Sequence, residues 1–375
     1  MKRVATEISG TDAGLVDPSF SGAVITWQKQ HGRHTLPWQR TRDAYRIWLS
    51  EIMLQQTQVA AVIPYYARFL ERFPDVVSLA AAPAEEVMSY WSGLGYYSRA
   101  RNLHQCARRV VAEHGGRFPD DPALLEQLPG IGRSTAAAIA AFSYGVRAAI
   151  MDGNVKRVFA RVFGVDAYPG ERRIEELLWR RAAALLPEQE IEAYTQGLMD
   201  LGATVCVRSR PQCSRCPIAS RCVALATNRT DELPVRKPKK ATPEKSTAML
   251  VITDGDEVLL EQRPDSGIWG GLLSLPEFSA PQEGGLHDAV KRIAAPFGIV
   301  GAIETLLPFS QGFTHYKLHV QPYRVRLAQR LTPAGQFRHA WLHRDTIVKA
   351  ALPAPVKKLL LNLFRERDLL DGMTD

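Results

Sequence analysis

The 375-residue sequence predicts a multidomain protein in which an all-α domain precedes a smaller α+β domain, and three observations carry that reading. From Phe20 to about Ala226, apolar residues recur at spacings of three and four, the period of amphipathic helices, with interruptions at Pro64, Pro74, Pro83, Pro119, Pro129 and Pro187. From 227 to 246 the composition turns polar, basic and proline-punctuated, as in Leu233-Pro-Val-Arg-Lys-Pro-Lys-Lys240, which predicts a semi-extended linker. Beyond it, Thr247-Ala-Met-Leu-Val-Ile-Thr253 and Glu257-Val-Leu-Leu-Glu-Gln262 flank Asp254-Gly-Asp256, a hairpin signal.

In chain order, residues 1–19 form a flexible extension: Lys2 and Arg3 are present, but no apolar core of a signal peptide follows. Residues 20–226 form the helical domain, 227–246 the linker, and 247–370 the α+β domain, with a further strand at Lys317 to Leu327 and a last amphipathic helix from Pro355 to Arg365. A hydrophobic content of 46% is enough for two or three cores and excludes a disordered tail protein. The net charge of +8 fits a polyanionic partner. No apolar run is long enough to span a bilayer, so the expectation is a cytoplasmic monomer, nucleoid-associated through DNA and without a membrane partner.

Four segments carry chemistry. In Leu128-Pro-Gly-Ile-Gly132-Arg-Ser134, an amphipathic stretch from Pro122 enters a turn and an Ala-rich helix leaves it, so backbone amides at Gly130, Gly132 and Ser134 can grip a phosphate; taken alone, the turn reads first as an ordinary helical corner, and the Asp152 offset and the cysteines reverse that preference. Asp152 lies twenty residues beyond Gly132, before a helix with apolar positions Val155, Val158, Phe159, Val162 and Phe163, and Asn154 is placed to cap it. A helix start favours an ionised carboxylate, although an N-terminal aspartate is also a common structural device. Glu51 sits on a helix that is apolar on almost every side, with Ile47, Trp48 and Leu54 beside it; desolvation there would raise its pKa and suit a general acid, the alternative being a salt bridge to Arg46 or Arg99. One carboxyl held protonated and another held ionised is what cleavage of a glycosidic bond needs.

Of five cysteines, four are crowded as Cys206-x6-Cys213-x2-Cys216-x5-Cys222. Such spacing suits a metal centre, and four thiolates can complete either a tetrahedral zinc site or an iron-sulfur cubane. Cys106, among Leu103, Ala107 and Val110, reads as a buried structural thiol.

These segments, with Leu36-Pro-Trp-Gln39, Trp48-Leu-Ser-Glu-Ile-Met-Leu-Gln-Gln-Thr57, Gly93-Leu-Gly-Tyr-Tyr97, Asp152-Gly-Asn-Val-Lys-Arg157 and Met199-Asp-Leu-Gly202, resemble the helix-hairpin-helix DNA glycosylases that carry an iron-sulfur cluster and, within them, the adenine DNA glycosylases. The resemblance covers nearly everything from Trp27 to Arg365. It implies that Glu51 protonates N7 of a flipped adenine, that Asp152 stabilises the sugar cation and that Asn154 positions the reacting sugar and water. It places Trp38 and Gln196 in the adenine pocket, Gln56 and Tyr96 as wedges in the base stack, and Thr57 and Leu94 near the facing base. It implies one 4Fe-4S cluster on Cys206, Cys213, Cys216 and Cys222, with Arg208, Arg210, Arg215 and Arg221 as a rim for phosphates. Ser134 stands where strand-cleaving relatives carry a lysine nucleophile, which implies a monofunctional enzyme.

The C-terminal domain resembles the Nudix fold through Leu259-Leu-Glu-Gln-Arg263 and Gly267-Ile-Trp-Gly-Gly-Leu272. Its helix region, Gly284 to Ile293, holds Asp288 as its one carboxylate, too few to hold Mg²⁺ around a pyrophosphate. The resemblance makes it instead the part that checks for 8-oxoguanine, with Phe313, Thr314 and His315 at the reading loop and Thr314 where the family usually has serine; without the family, Phe313, His315 and Tyr316 read equally as a strand end packed on the core. The expected partner is double-stranded DNA with adenine opposite 8-oxoguanine or guanine. A strand-cleaving glycosylase, a non-catalytic DNA-binding redox protein and a nucleotide pyrophosphatase are the competing readings.

Overall fold

A computed structural model of the chain describes residues 17–237, 242–264, 267–279, 285–313, 315–331 and 338–371, with side chains described to 365. The helices are α1 (Pro18–His31), α2 (Ala44–Leu54), α3 (Val59–Arg72), α4 (Val76–Ala81), α5 (Ala84–Trp91), α6 (Ser98–His114), α7 (Pro122–Glu126), α8 (Arg133–Tyr144), α9 (Gly153–Val162), α10 (Arg172–Ala184), α11 (Ile191–Asp200) and the single turn α12 (Val223–Ala226). Their ends follow local chemistry. The Asp17, Asp43, Asp121 and Asp152 carboxylates accept amide hydrogen bonds at the starts of α1, α2, α7 and α9, and Gly145, left-handed at φ 70°, closes α8. Asp17 already belongs to the first helix, and residues 1–16 of the expected extension lie outside the described residues.

Packing divides the chain into two units, one of residues 1–81 and 102–239, the other of 82–101 and 240–375. In the first, Val155, Val158, Phe159 and Val162 of α9 are buried with Val24 of α1, Ala138 of α8 and Leu198 of α11. Each of the valine, leucine and phenylalanine side chains contributes about 1.5–3 kcal/mol by leaving water. That core fixes α9, and so Asp152 at its start. After α11 the helix widens into a π-turn over Leu201–Val205, and the Cys206 amide donates to the Leu201 carbonyl at 2.7 Å. The expected linker starts packed: Leu233 is buried, and its carbonyl accepts from Arg161 Nε at 2.8 Å.

The second unit carries the sheet: β1 (Glu244–Asp254), β2 (Glu257–Gln262), β3 (Leu273–Ser274), β4 (Glu277–Phe278), β5 (Gly298–Thr305), β6 (Phe309–Gly312), β7 (Lys317–Arg330) and β8 (His339–His343), with α13 (Leu286–Ala294) and α14 (Ala354–Asp371). Its main order is β3-β2-β1-β7-β5. The predicted hairpin is present, pairing Asp254 with Glu257. β1 runs parallel to β7 from Glu244 to Thr253, and its unbroken buried run from Ala248 to Thr253 suits a strand covered on both faces. Residues 82–101 group here because the Ser92 and Tyr97 hydroxyls reach the Leu352 carbonyl at 3.3 and 3.4 Å. A local helical period carries no record of such a partner.

Candidate active site

A cavity of about 550 Å³ opens in the first unit, with Arg33, Trp38, Glu51, Leu54, Gln196 and Met199 among its walls. This is the size range of small-molecule sites. Glu51 projects from α2, whose flanking residues Ile47, Trp48, Leu49, Ser50, Ile52 and Met53 are buried and lock the helix. Burial, reinforced by the negative charge of Asp152, pushes the Glu51 carboxyl from its ordinary 4.5 up to about 8. The alternative of a neutralising arginine is not realised: Arg46 pairs with Asp43 at 3.6 Å, and the Arg99 guanidinium donates to the Gly95 carbonyl at 3.1 Å and lies over the Trp91 ring.

Asp152, rather than Asn154, caps α9, accepting from the Val155 amide at 2.7 Å. The helix start favours the ionised form, as expected, but does not set the net direction. Burial raises its pKa and outweighs the lowering by Val155, Asn154 and Arg157, because a cap satisfies one oxygen while the site keeps water from the rest. Asn154 donates to the other Asp152 oxygen at 3.4 Å and accepts from Arg157 at 2.9 Å. Ser134 faces the same loop, its Oγ accepting from the Met151 amide at 2.9 Å. Lys156 is held by Glu175 at 2.6 Å. Of the sequence-selected residues, Glu51, Trp38 and Gln196 line the cavity, and Asp152 is coupled to it through its effect on Glu51.

Two residues that hold Gln196 in place had not been singled out. Buried Asp200 accepts from Gln196 Nε2 at 2.8 Å and from Arg33 Nε at 2.7 Å. The i, i+4 spacing of Gln196 and Asp200 was the available signal.

The hairpin turn is built on Gly130 at φ +79°, and the buried Ile131 side chain anchors it. A Cβ at Gly130 would stand 2.9 Å from Asn102 Cβ, whereas one at Gly132 would meet nothing within 4 Å. Gly130→Ala is therefore expected to cost about 1–3 kcal/mol, read as a lower urea midpoint at unchanged slope, and Gly132→Ala to leave the midpoint in place. Equal shifts for both would sink this account of the turn.

Gln56 and Tyr96 are held at φ 57° and φ 50°, a region that side-chain-bearing residues occupy at a cost, often at functional sites. Tyr96 is 47% exposed, whereas Leu94 is buried at 7%. The Thr57 hydroxyl is close to home, 3.3 Å from the Gln55 carbonyl. In the second unit His315 is exposed, and Phe313 packs edge-on to Trp269 at 5.6 Å, as a strand end on the core would. Thr314 lies outside the described residues.

Cys206, Cys213, Cys216 and Cys222 line one small cavity with Val158, Ile218 and Leu225. Among the described residues no three His, Cys, Asp or Glu side chains are gathered to hold a single metal ion. Four cysteine thiols around one apolar cavity are a donor set that suits a zinc ion or an iron-sulfur cube. Burial pushes the Cys216 thiol up to about 11, so thiolates here need a strong cationic partner. Arg161, 2% exposed, fastens the loop by donating to Cys206 Sγ at 3.4 Å and to the Val207 and Arg208 carbonyls at 2.7 and 3.0 Å. Of the expected rim, Arg221 is already paired with Asp17. Cys106 is buried, its thiol pushed up to about 12, as a structural residue would be.

Residues 49–184 match the HhH-GPD superfamily of base excision DNA repair proteins, and residues 247–362 match the NUDIX domain. The adenine DNA glycosylase of Buchnera aphidicola (from Acyrthosiphon pisum) is 34% identical over 92% of this chain and 97% of its own length. The Homo sapiens adenine DNA glycosylase is 33% identical over 91% of this chain and 73% of its own. A solved thermostable thymine-DNA glycosylase superposes with a TM-score of 0.51 at 30% identity, covering 56% of this chain and 95% of that one. A buried acid lining a cavity, a second carboxylate acting on it through its charge and full-length likeness to enzymes of one activity converge: the chain belongs to the adenine DNA glycosylases of base excision repair, with a helical HhH-GPD domain followed by a Nudix-fold domain.

Proposed function

We propose that the chain removes adenine opposite 8-oxoguanine, and opposite guanine, by hydrolysing the N-glycosidic bond while leaving the strand intact, as a monomer on duplex DNA. The observation that carries this is the Glu51–Asp152 couple, in which burial and mutual repulsion keep a proton on Glu51 up to about pH 8. Glu51 then donates to adenine N7, and Asp152, once ionised, stabilises the sugar cation with Asn154 beside it. Trp38 and Gln196 hold the flipped base, and Gln56 and Tyr96 fill the gap it leaves. Gly130, Gly132 and Ser134 grip the strand at the hairpin.

Strand cleavage requires an amine free to attack the opened sugar. Ser134 offers none, and Lys156 is engaged by Glu175. Cys206, Cys213, Cys216 and Cys222 would hold a 4Fe-4S cluster, which when bound anchors the loop that presents Arg208, Arg210 and Arg215 to phosphates. In the Nudix domain Asp288 is the one carboxylate of α13, so the domain reads 8-oxoguanine, with Phe313, Thr314 and His315 at its loop, instead of hydrolysing a nucleotide.

A duplex labelled on the adenine strand tests this, with 8-oxoguanine or guanine opposite and samples treated with or without hot alkali. Breaks that appear only after alkali, and faster opposite 8-oxoguanine, are the expected result. Breaks without alkali would assign a lyase nucleophile, and equal rates for the two facing bases would remove the lesion-reading role.

A further inference from the structure

We propose that Asp200 is a positioning residue that sets base specificity: it holds the Gln196 amide so that the carbonyl oxygen, and not the NH₂ group, faces the base. The inference rests on the reading of this cavity as the adenine pocket. Asp200 is fully buried at 0% exposure. Its Oδ1 accepts from Arg33 Nε at 2.7 Å and from Gln196 Nε2 at 2.8 Å, and its Oδ2 accepts from the Arg33 backbone amide at 2.7 Å. An ionised carboxylate only accepts, so the side of the Gln196 amide turned to it must be NH₂, whichever way the two amide atoms would otherwise be assigned. Gln196 Oε1 has no partner among the described residues, and Gln196 lines the cavity.

The support behind the carboxylate is built into the backbone. A Cβ at Gly32 would lie 2.5 Å from the Gln28 carbonyl oxygen and 3.1 Å from Asp200 Oδ2, so glycine permits the close approach that delivers the Arg33 amide. On the other side, the Thr204 hydroxyl in the π-turn donates to the Asp200 carbonyl at 2.8 Å. A buried ion pair is weak evidence for stability by itself; what this one supplies is direction. Adenine presents a 6-amino donor where guanine presents a 6-oxo acceptor. A fixed carbonyl rewards the first and repels the second, and a site that leaves a polar group unpaired rejects the wrong ligand strongly. A glutamine without Asp200 would turn either face inward.

The test measures single-turnover release of adenine and of a purine lacking the 6-amino group, each opposite the same base in otherwise identical duplexes. Asp200→Asn is expected to lower the adenine-to-purine rate ratio by about tenfold to a hundredfold, because the introduced amide can donate to Gln196 and turn its NH₂ inward. Asp200→Glu, which keeps an acceptor-only group, is expected to keep the ratio even where both rates fall. The double substitution Asp200→Asn with Gln196→Glu exchanges amide and carboxylate, preserves net charge and is expected to restore the ratio; it carries the test alone if Asp200→Asn does not fold. A proportional fall in both rates for Asp200→Asn, or an unrestored ratio in the exchanged pair, overturns the proposal. A wild-type protein that releases adenine no faster than the amino-free purine overturns instead the reading of the cavity on which the proposal stands.

Discussion

Glu51→Gln is expected to stop base release, lowering the single-turnover rate of adenine excision by about 10³-fold or more, toward the upper end of what a positioned general acid contributes, while duplex binding persists. Glutamine fills the same space on α2 and has no proton to give. The wild-type rate should stay level up to about pH 8 and then fall tenfold per unit, because burial and Asp152 hold the Glu51 proton to that point. On the acid side of that plateau a second limb belongs to Asp152, whose raised carboxyl must ionise to stabilise the sugar cation; the two titrate as a coupled pair.

The same proton has a stability signature of opposite use. Folding moves the carboxyl from 4.5 to about 8, so the native state takes up a proton between those values and the resulting stabilisation is lost as pH rises through about 8. The loss is on the order of 2–4 kcal/mol for a carboxyl still reached by water from the cavity. In Glu51→Gln the corresponding slope should vanish, making the inactive variant the more stable protein at pH 9. An excision rate within about tenfold of wild type, or a wild-type stability that rises from pH 5 to 8, would remove Glu51 from the role of acid.

Glu51 was legible in the sequence because Ile47, Trp48 and Leu54 leave a carboxyl on that helix no polar face. The cysteine quartet was legible because its spacing leaves little other use. The net direction at Asp152 was not: the helix start is local, but burial outweighs it, and α9 is packed from later in the chain by α11 and by the π-turn, whose Gly202 lies against Asn154. Asp200 was missed because a glutamine and an aspartate four residues apart look like an ordinary solvated helix face until Arg33, 167 residues distant, is brought against them. The grouping of residues 82–101 with the second unit depends on Leu352, which no local period encodes. Gln56 and Tyr96 could be picked out by resemblance, but their left-handed backbones could not, since neither is a glycine.

Cys216→Ser is expected to have the second large effect, through the loop and not through the chemistry. Arg161 gives Cys206 one sulfur contact and otherwise holds carbonyls, and the segment from 206 to 222, with short turns at Cys213–Arg215 and Ala219–Arg221, sends one fully buried side chain, Ile218, into the core. A cluster bridging four cysteines would supply a further anchor, and losing one thiolate should empty the site. Purified wild type should then contain four iron and four sulfide per chain, and Cys216→Ser close to none, with faster proteolysis between 206 and 222. If Arg208, Arg210 and Arg215 each meet a phosphate, the slope of log affinity against log salt should become shallower by about 2 to 3 in the variant. Pre-bound DNA at low salt should still lose adenine, because Glu51 and Asp152 are held by α2, α8 and α9. One zinc per chain in the wild type would replace the cluster with a single ion. An unchanged salt slope in a cluster-free variant would leave the arginines without a phosphate role, since anchoring can matter for binding only if the loop it anchors touches the strand.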